Sequence, residues 1–295
     1  MDVFCSTIIP TVGRHSLVPA VASILDQAFE DAPFEVIVVN DSGQPLPDAA
    51  WQRSARVRVI DTNRRERSVA RNAGAAIANG QFLHFLDDDD VLLPDALRAF
   101  WELRQESGEA SWLYGSYQTV DNSGHLVNEF HPGIQGNIFA LLISGEAIPF
   151  QASLLRTRDF FGAGTFDPAI TGVEDRDLGR RLALKGTVAY TPAVVARIRV
   201  GEQGSTTNWC ILAEDDRWGR EKALSAAGAL ARLRTSARSP YWRGRVSRAC
   251  LASMVWNLKR RNLFTAGARA TAGMAFASRS ALSPGFWRGL RTKIT

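Results

Sequence analysis

Four consecutive carboxylates, Asp87-Asp88-Asp89-Asp90, follow directly on the apolar run Phe82-Leu83-His84-Phe85-Leu86. Side by side and partly stripped of water, such charges repel one another strongly. An apolar strand before them pins them at the carboxyl end of a sheet, the edge at which open α/β folds bind ligands. That edge calls for positive charge, and a hard divalent cation that prefers oxygen ligands, Mg2+ or Mn2+, fits. Other reactive types fall at comparable strand ends: Thr11-Val12-Gly13-Arg14, Asn40-Asp41-Ser42-Gly43, and Arg71 near the start of an Ala-rich helix. Hydroxyls, an amide, a carboxylate, a guanidinium and a metal are the set a nucleoside diphosphate needs. Polar groups would meet base and ribose, and positive charge the pyrophosphate.

The elements that must carry these loops follow from periodicity. Apolar or β-branched runs over 3–10, 34–40, 56–61 and 81–86 read as strands. Helical spacing over 15–28, 69–79 and 94–106 places a helix after each of three of them, with Gly80 ending one and Pro94 opening another. Alternation at these lengths predicts an α/β fold with a mostly parallel, doubly wound sheet. Beyond residue 110 the pattern loosens: strands over 112–120, 149–156 and 188–200, a short helix over 136–144, and a helix over 175–185 closed by Gly186.

Composition, 45% hydrophobic and 22% charged, suits a globular chain with a core. Residues 1–216 hold 18 Lys and Arg against 29 Asp and Glu, and 217–295 hold 17 against 1, so the net +5 hides an acidic part and a strongly basic one. The charge shift divides the chain into a first domain over 1–215 and a basic helical region over 216–295. Leu251, Met254, Val255 and Leu258 form an apolar stripe before Lys259-Arg260-Arg261, and Trp242, Trp256 and Trp287 lie among arginines. That pattern suits an anionic membrane surface. It equally suits a helical layer whose basic face neutralises the acidic part. Nucleic acid fits less well, since no binding module is recognisable. Three scattered cysteines, Cys5, Cys210 and Cys250, argue against a disulfide framework or zinc site and for a reducing compartment. The first residues lack the pattern of a signal peptide, and no apolar run is long enough to span a bilayer. A cytoplasmic protein, peripheral to the inner face of the cell membrane, is the expectation. The oligomeric state stays open.

The runs STIIPTVGRHSLVPAVASILDQ, FEVIVVNDSG and SVARNAGAAIANGQFLHFLDDDDVLLPDAL resemble a family 2 glycosyltransferase of GT-A fold, and GVEDRDLGRRLALKG resembles that family's acidic acceptor-side motif. The likeness covers about residues 3–200. It implies roles position by position. Thr11 lies near the nucleotide, Asp41 meets base or ribose, and Arg71 approaches the base. Asp87 and Asp88 face the sugar or ribose, and Asp89 is the metal ligand. Asp175, beside Glu174, is the base that takes a proton from the acceptor hydroxyl. The resemblance thus implies a nucleotide-sugar donor, UDP-linked first with GDP and dTDP open, and a glycan or lipid-linked acceptor in surface polysaccharide assembly. A loop near 201–207 would close over the donor, with Arg199 reaching the pyrophosphate, unless it is a surface hairpin. Two departures stand out. Asn40 replaces the first of the usual two acids, and no QxxRW-like motif follows Asp175, which implies one sugar added per encounter.

Physical arguments support the roles and leave others open. Asp175 near a helix start is stabilised as an anion by the helix dipole, and Glu174 beside it would raise one acid constant. Asp175 could instead cap that helix, Asp41 could make an Asx turn, and Arg71 could pair with Glu66. Asp90 is expected to cap the helix that follows, and His84 to sit in the core. Two rival functions remain: a catalytically silent scaffold at a membrane, and a sugar-phosphate nucleotidyltransferase. The single glycine of PTVGRH argues against the second.

Overall fold

A computed structural model describes residues 2–201, 209–278 and 280–292, with Trp209 and Cys210 described by their backbone alone. The chain divides into two compact units. The first comprises Met1–Gly136, Ile148–Ala169 and Gly186–Thr206, the second Asn137–Ala147, Ile170–Lys185 and Thr207–Thr295. The line drawn from charge at 215/216 therefore passes through a helix, Trp209–Ser225. It also misses two earlier segments of the second unit, because charge reports composition while packing decides which segments share a core.

Among the described residues the first unit is built on nine strands. β1 (Cys5–Thr11), β2 (Phe34–Asn40), β3 (Val57–Asp61) and β4 (Phe82–Phe85) are parallel in the order β3-β2-β1-β4. β2, FEVIVVN, is buried at every residue, as expected of a strand covered on both faces. The crossovers are α1 (Leu17–Leu25) and α2 (Arg67–Ala76). α2 lies close on the sheet at Gly74, where a Cβ would come within 2.6 Å of Ile8. The remaining strands are β5 (Val91–Leu92), β6 (Trp112–Val120), β7 (Leu126–Phe130), β8 (Ser153–Arg156) and β9 (Val188–Arg199). They extend the sheet as β4-β8-β6-β9-β5, with β7 on β6. Only β6 and β9 among these pair in parallel. The sheet is thus mixed, and the mostly parallel expectation holds for its first four strands. α3 (Ala96–Ser107) and a short helix, α5 (Thr157–Gly162), also belong to this unit, whereas α4 (Phe139–Ile143) falls in the second. β5, β7 and α5 were not foreseen: they are short or, in β7, exposed at every residue, so they carry no hydrophobic period.

Register brings the reactive residues to one edge. β1 pairs with β2 and β2 with β3 so that Thr11, Asn40 and Asp61 are level. β1 pairs with β4 at Ile8 and Phe85, an offset that sets Thr11 level with Asp88 three residues on. Phe4 packs edge-on against Trp101 of α3, ring centres 5.1 Å apart, within the core that fixes this layer.

The second unit is helical: α4 (Phe139–Ile143), α6 (Glu174–Lys185), α7 (Trp209–Ser225), α8 (Ala229–Ser236), α9 (Pro240–Lys259), α10 (Leu263–Ala277) and α11 (Pro284–Arg291). Ser239 caps α9, its Oγ accepting from the Trp242 N–H, with Pro240 at the first helical position. α9 and α11 meet backbone to backbone: a Cβ on Gly244 or Gly289 would lie 2.1 Å from a carbonyl oxygen of the facing helix. Few acids are available for many arginines here. Asp216 binds both Arg180 (2.5 Å) and Arg220, and Glu221 binds Arg269 (2.6 Å). Among the described residues no helix is long and apolar enough to cross a membrane. Cys5 and Cys250 are buried free thiols, pushed up to about 12 by burial.

Candidate active site

The loop between β3 and α2 is held by Asp41. Its Oδ1 accepts from Thr62 Oγ1 (2.8 Å) and the Arg64 N–H (2.6 Å), and its Oδ2 from the Glu66 N–H (2.6 Å). Asp41 therefore does more than make a local turn. It stabilises a loop in which Asn63 and Arg65 take left-handed backbone conformations, strained for residues with a Cβ. Glu66 in turn caps α2, accepting from the Ser68 and Val69 N–H groups. The Glu66–Arg71 pair considered above is not formed. Arg71 instead reaches Asp87, donating from Nη2 to Oδ1 at 2.6 Å. Asn40, in place of an acid, donates to Asp61 Oδ1 (2.7 Å), so a second carboxylate does stand beside this loop, supplied by β3.

The four aspartates diverge in environment. Asp87 is gripped on both oxygens, by Arg71 and by Gln151 Nε2 (2.9 Å). Burial alone would push its carboxyl up; Arg71, Arg67 and Gln151 outweigh that and hold it below the usual range. Asp88 accepts from Thr11 Oγ1 (2.6 Å) and Arg14 Nη1 (3.2 Å), as the strand offset requires. Burial still pushes it up against both donors. Asp89 is raised by burial and by the charge of Asp87, which outweigh Arg14 at 3.4 Å, its own backbone N–H and the charge of Arg199. Asp90 is buried, and burial followed by Asp87 raises it well above the ordinary range. It does not cap α3: its Oδ1 accepts the Arg199 N–H of β9 at 2.7 Å, and Asp95 stands at the cap position. A backbone partner from a distant strand was not readable from local sequence.

These groups surround a cleft of about 210 Å³. Thr11 and Arg14 line it from the first loop and Asp41 from the second. Arg65 comes from the loop before α2, Arg67 from the first position of α2, and 87–89 from the end of β4. Arg71, Asp41 and Thr11 are buried behind or beside these walls. Arg14, Arg65, Arg67 and Gln151 were not assigned from sequence. The Arg64-Arg65-Glu66-Arg67 run before a helix was the available signal for the middle two; Gln151 had none, being brought in by the turn before β8. That turn is fixed by His84, fully buried as expected, whose Nδ1 accepts from Thr7 Oγ1 (3.2 Å) and whose Nε2 donates to the Gln151 carbonyl (2.9 Å). Burial pulls the imidazole down to about 4, so it is neutral and structural at ordinary pH.

The cleft mixes partly neutralised carboxylates with guanidinium groups, which is the complement of a cation bound to a polyanion. Among the described residues no three acidic, His or Cys side chains are grouped as a ready-made metal cage. Mg2+ and Mn2+ are commonly held by one or two carboxylates with substrate phosphates completing the shell, and the donor set fits that case. Asp89, raised and only lightly neutralised, is the carboxylate best placed to accept such an ion. A larger shallow depression of about 720 Å³ beside α11, lined by Trp287, Arg288 and Arg291, offers no acid.

Glu174 and Asp175 belong to the second unit. Both lie in the first turn of α6, Glu174 buried and Asp175 half-buried. Asp175 is inside the helix rather than at its cap, with Oδ1 accepting the Arg176 N–H at 2.7 Å. The Arg199 guanidinium donates to the carbonyls of Asp121 and Asn122. Of the expected closing loop near 201–207, residues 202–207 lie outside the described residues.

A mixed sheet whose parallel strands end in an acidic and basic cleft defines a GT-A-type α/β protein. The fold matches that of S. aureus TarS residues 1–349 in complex with UDP-GlcNAc, with a TM-score of 0.65 over 94% of this chain and 92% of that one, at 16% identity. The model for glycosyl transferase family 2 matches residues 6–157, and the chain belongs to that family. An uncharacterized glycosyltransferase of Rickettsia felis is 24% identical over 204 residues, 68% of this chain and 33% of the relative, so the chain spans about a third of that relative's length. The UDP-Glc:alpha-D-GlcNAc-diphosphoundecaprenol beta-1,3-glucosyltransferase WfgD of Escherichia coli is 26% identical over 134 residues, 44% of this chain and 51% of the relative.

Proposed function

We propose that this chain carries an inverting glycosyltransferase that moves a sugar from a nucleoside-diphosphate donor, UDP-linked, to a hydroxyl of a glycan or lipid-linked acceptor in surface polysaccharide assembly. The observation that carries the reading is the cleft, where Asp87 is neutralised by Arg71 while 88–90 keep raised acid constants and Arg14, Arg65 and Arg67 lie near. Thr11 and Asp41 shape the nucleotide end, and the arginines receive the diphosphate. A divalent ion held by Asp89 and the donor phosphates would offset charge growing on the leaving diphosphate. Asp175 takes the proton of the acceptor hydroxyl as its oxygen attacks the anomeric carbon and the diphosphate departs from the opposite face, inverting that centre. Its place in the first turn of α6 favours the anion it must be before accepting that proton. The UDP-GlcNAc complex of TarS and the name of WfgD, with its UDP-Glc donor and diphosphoundecaprenol acceptor, support the donor and acceptor classes. The 16 excess positive charges of 217–295 suit an enzyme working beside an anionic membrane, at its cytoplasmic face.

The test is calorimetric titration of UDP-GlcNAc with and without Mn2+, followed by a donor hydrolysis assay. Metal-dependent binding and turnover, both lost on chelation, are expected. Binding without any turnover across UDP-, GDP- and dTDP-sugars would sink the reading in favour of a silent scaffold.

A further inference from the structure

The basic helices of the second unit expose apolar side chains that a folded core would normally cover. On α9, Leu251, Val255 and Leu258 follow one another at helical spacing and are all exposed. Five residues after Leu258, α10 opens with Leu263 and Phe264, which are 70% and 90% exposed, and Met274 further along is exposed as well. α9 and α10 pack against each other as a hairpin, Leu251 lying within 3.5 Å of where a Cβ on Gly273 would stand. Lys259 ends α9, and the turn to α10 is Arg260-Arg261-Asn262, with Arg261 left-handed at φ 58. Arg260 lies over the Trp256 ring and bonds Glu214. Lys259 and Arg261 are exposed, and among the described residues neither is paired with a carboxylate. No Asp or Glu occurs anywhere in 222–295.

Isolated exposed leucines are ordinary, but a cluster of them with a phenylalanine at one hairpin tip, ringed by cations, is not. The charge decides among occupants. A second copy of this face would bring like charges together, which opposes self-association. A surface of anionic headgroups over an apolar layer satisfies both features at once: Lys259 and Arg261 meet the phosphates while Phe264, Leu263 and Leu258 enter the boundary below them. We infer that the α9–α10 hairpin tip is a membrane-docking surface that inserts Leu258, Leu263 and Phe264 into an anionic bilayer. This rests on the reading of the chain as an enzyme working beside a membrane, and it names the residues that would hold it there.

The experiment is flotation of the full chain with phosphatidylcholine vesicles, with and without phosphatidylglycerol, in the absence of donor. The variants are L263S/F264S and K259E/R261E, all at exposed positions outside the cleft. Expected are binding to the anionic vesicles only, weakened by salt, and a drop of at least about 10-fold in partitioning for each double variant with melting temperature unchanged. Undiminished binding by both variants overturns the proposal. So does absence of vesicle binding, or a dimer in light scattering that L263S/F264S disperses, since the face would then be an interface between copies. Donor hydrolysis is read in the same samples. Lost vesicle binding with turnover intact removes the docking surface alone; vesicle binding without turnover leaves the docking surface standing and removes the enzymatic reading.

Discussion

The two units treat charge in opposite ways. By sequence the first holds 14 Lys and Arg against 22 Asp and Glu, the second 21 against 8. In the first, acids are concentrated at one strand end and left only partly neutralised: Asp88, Asp89 and Asp90 all have raised acid constants. In the second, buried acids are taken up by partners from their own chain, Asp216 by Arg180 and Arg220 and Glu221 by Arg269 and Ser253, and further arginines spend their donors on carbonyls. Asp216 and Glu221 are accordingly held below the usual range: burial opposes this, and the arginines outweigh it. An acid that serves structure is neutralised by its own chain. An acid left in deficit at a cleft waits for a cation from outside. That contrast distinguishes a candidate site from a salt-bridge network more sharply than the number of carboxylates does.

The largest effect is expected from Asp175→Asn, which should cut glycosyl transfer by about 10²–10⁴-fold while leaving donor affinity unchanged by calorimetry. If donor binding falls instead, the assignment of donor work to the first unit fails. Asp89→Ala should lower turnover by about 10²–10³-fold and abolish the Mn2+-dependent rise in melting temperature with UDP. Gln151→Ala removes one of the two groups that grip Asp87 and should raise the donor KM by about 10-fold with a smaller effect on kcat. An equal fall in kcat would mean that Gln151 acts on the transition state directly. Asp90→Asn should leave activity nearly intact and raise Tm at neutral pH by about 2–4 °C, as about 1 kcal/mol would. The sign follows from the raised constant. An ionised Asp90 costs stability above its folded value, and the amide keeps an acceptor for the Arg199 N–H. The gain should therefore shrink as pH falls toward the ordinary carboxylate range and vanish below it. A loss of Tm at neutral pH would contradict the deficit of positive charge at the cleft.

Much of the first unit was legible because its signals are local. β2 is buried throughout and its run of β-branched residues announced it; Thr11, Asp41 and the aspartates lie where strands end, and strands end where hydrophobic runs stop. Arg71 was also readable as a helix-start cation, though its partner was not. What escaped notice depends on long-range pairing. β7 has no buried face, Gln151 arrives from a turn sixty-four residues away from Asp87, and Asp90 bonds a strand 109 residues later.

By itself, then, the amino-acid sequence determined that hydrophobic runs of fixed period must form an α/β sheet, and that carboxylates following one such run must sit at its end. Both are consequences of burying apolar side chains in regular backbone. The tertiary structure alone decided how the four aspartates differ. One offset between β1 and β4 sets Thr11 against Asp88, and one turn brings Gln151 to Asp87. Acid constants depend on neighbours in space, and in this chain those neighbours come from strands and turns far apart in sequence.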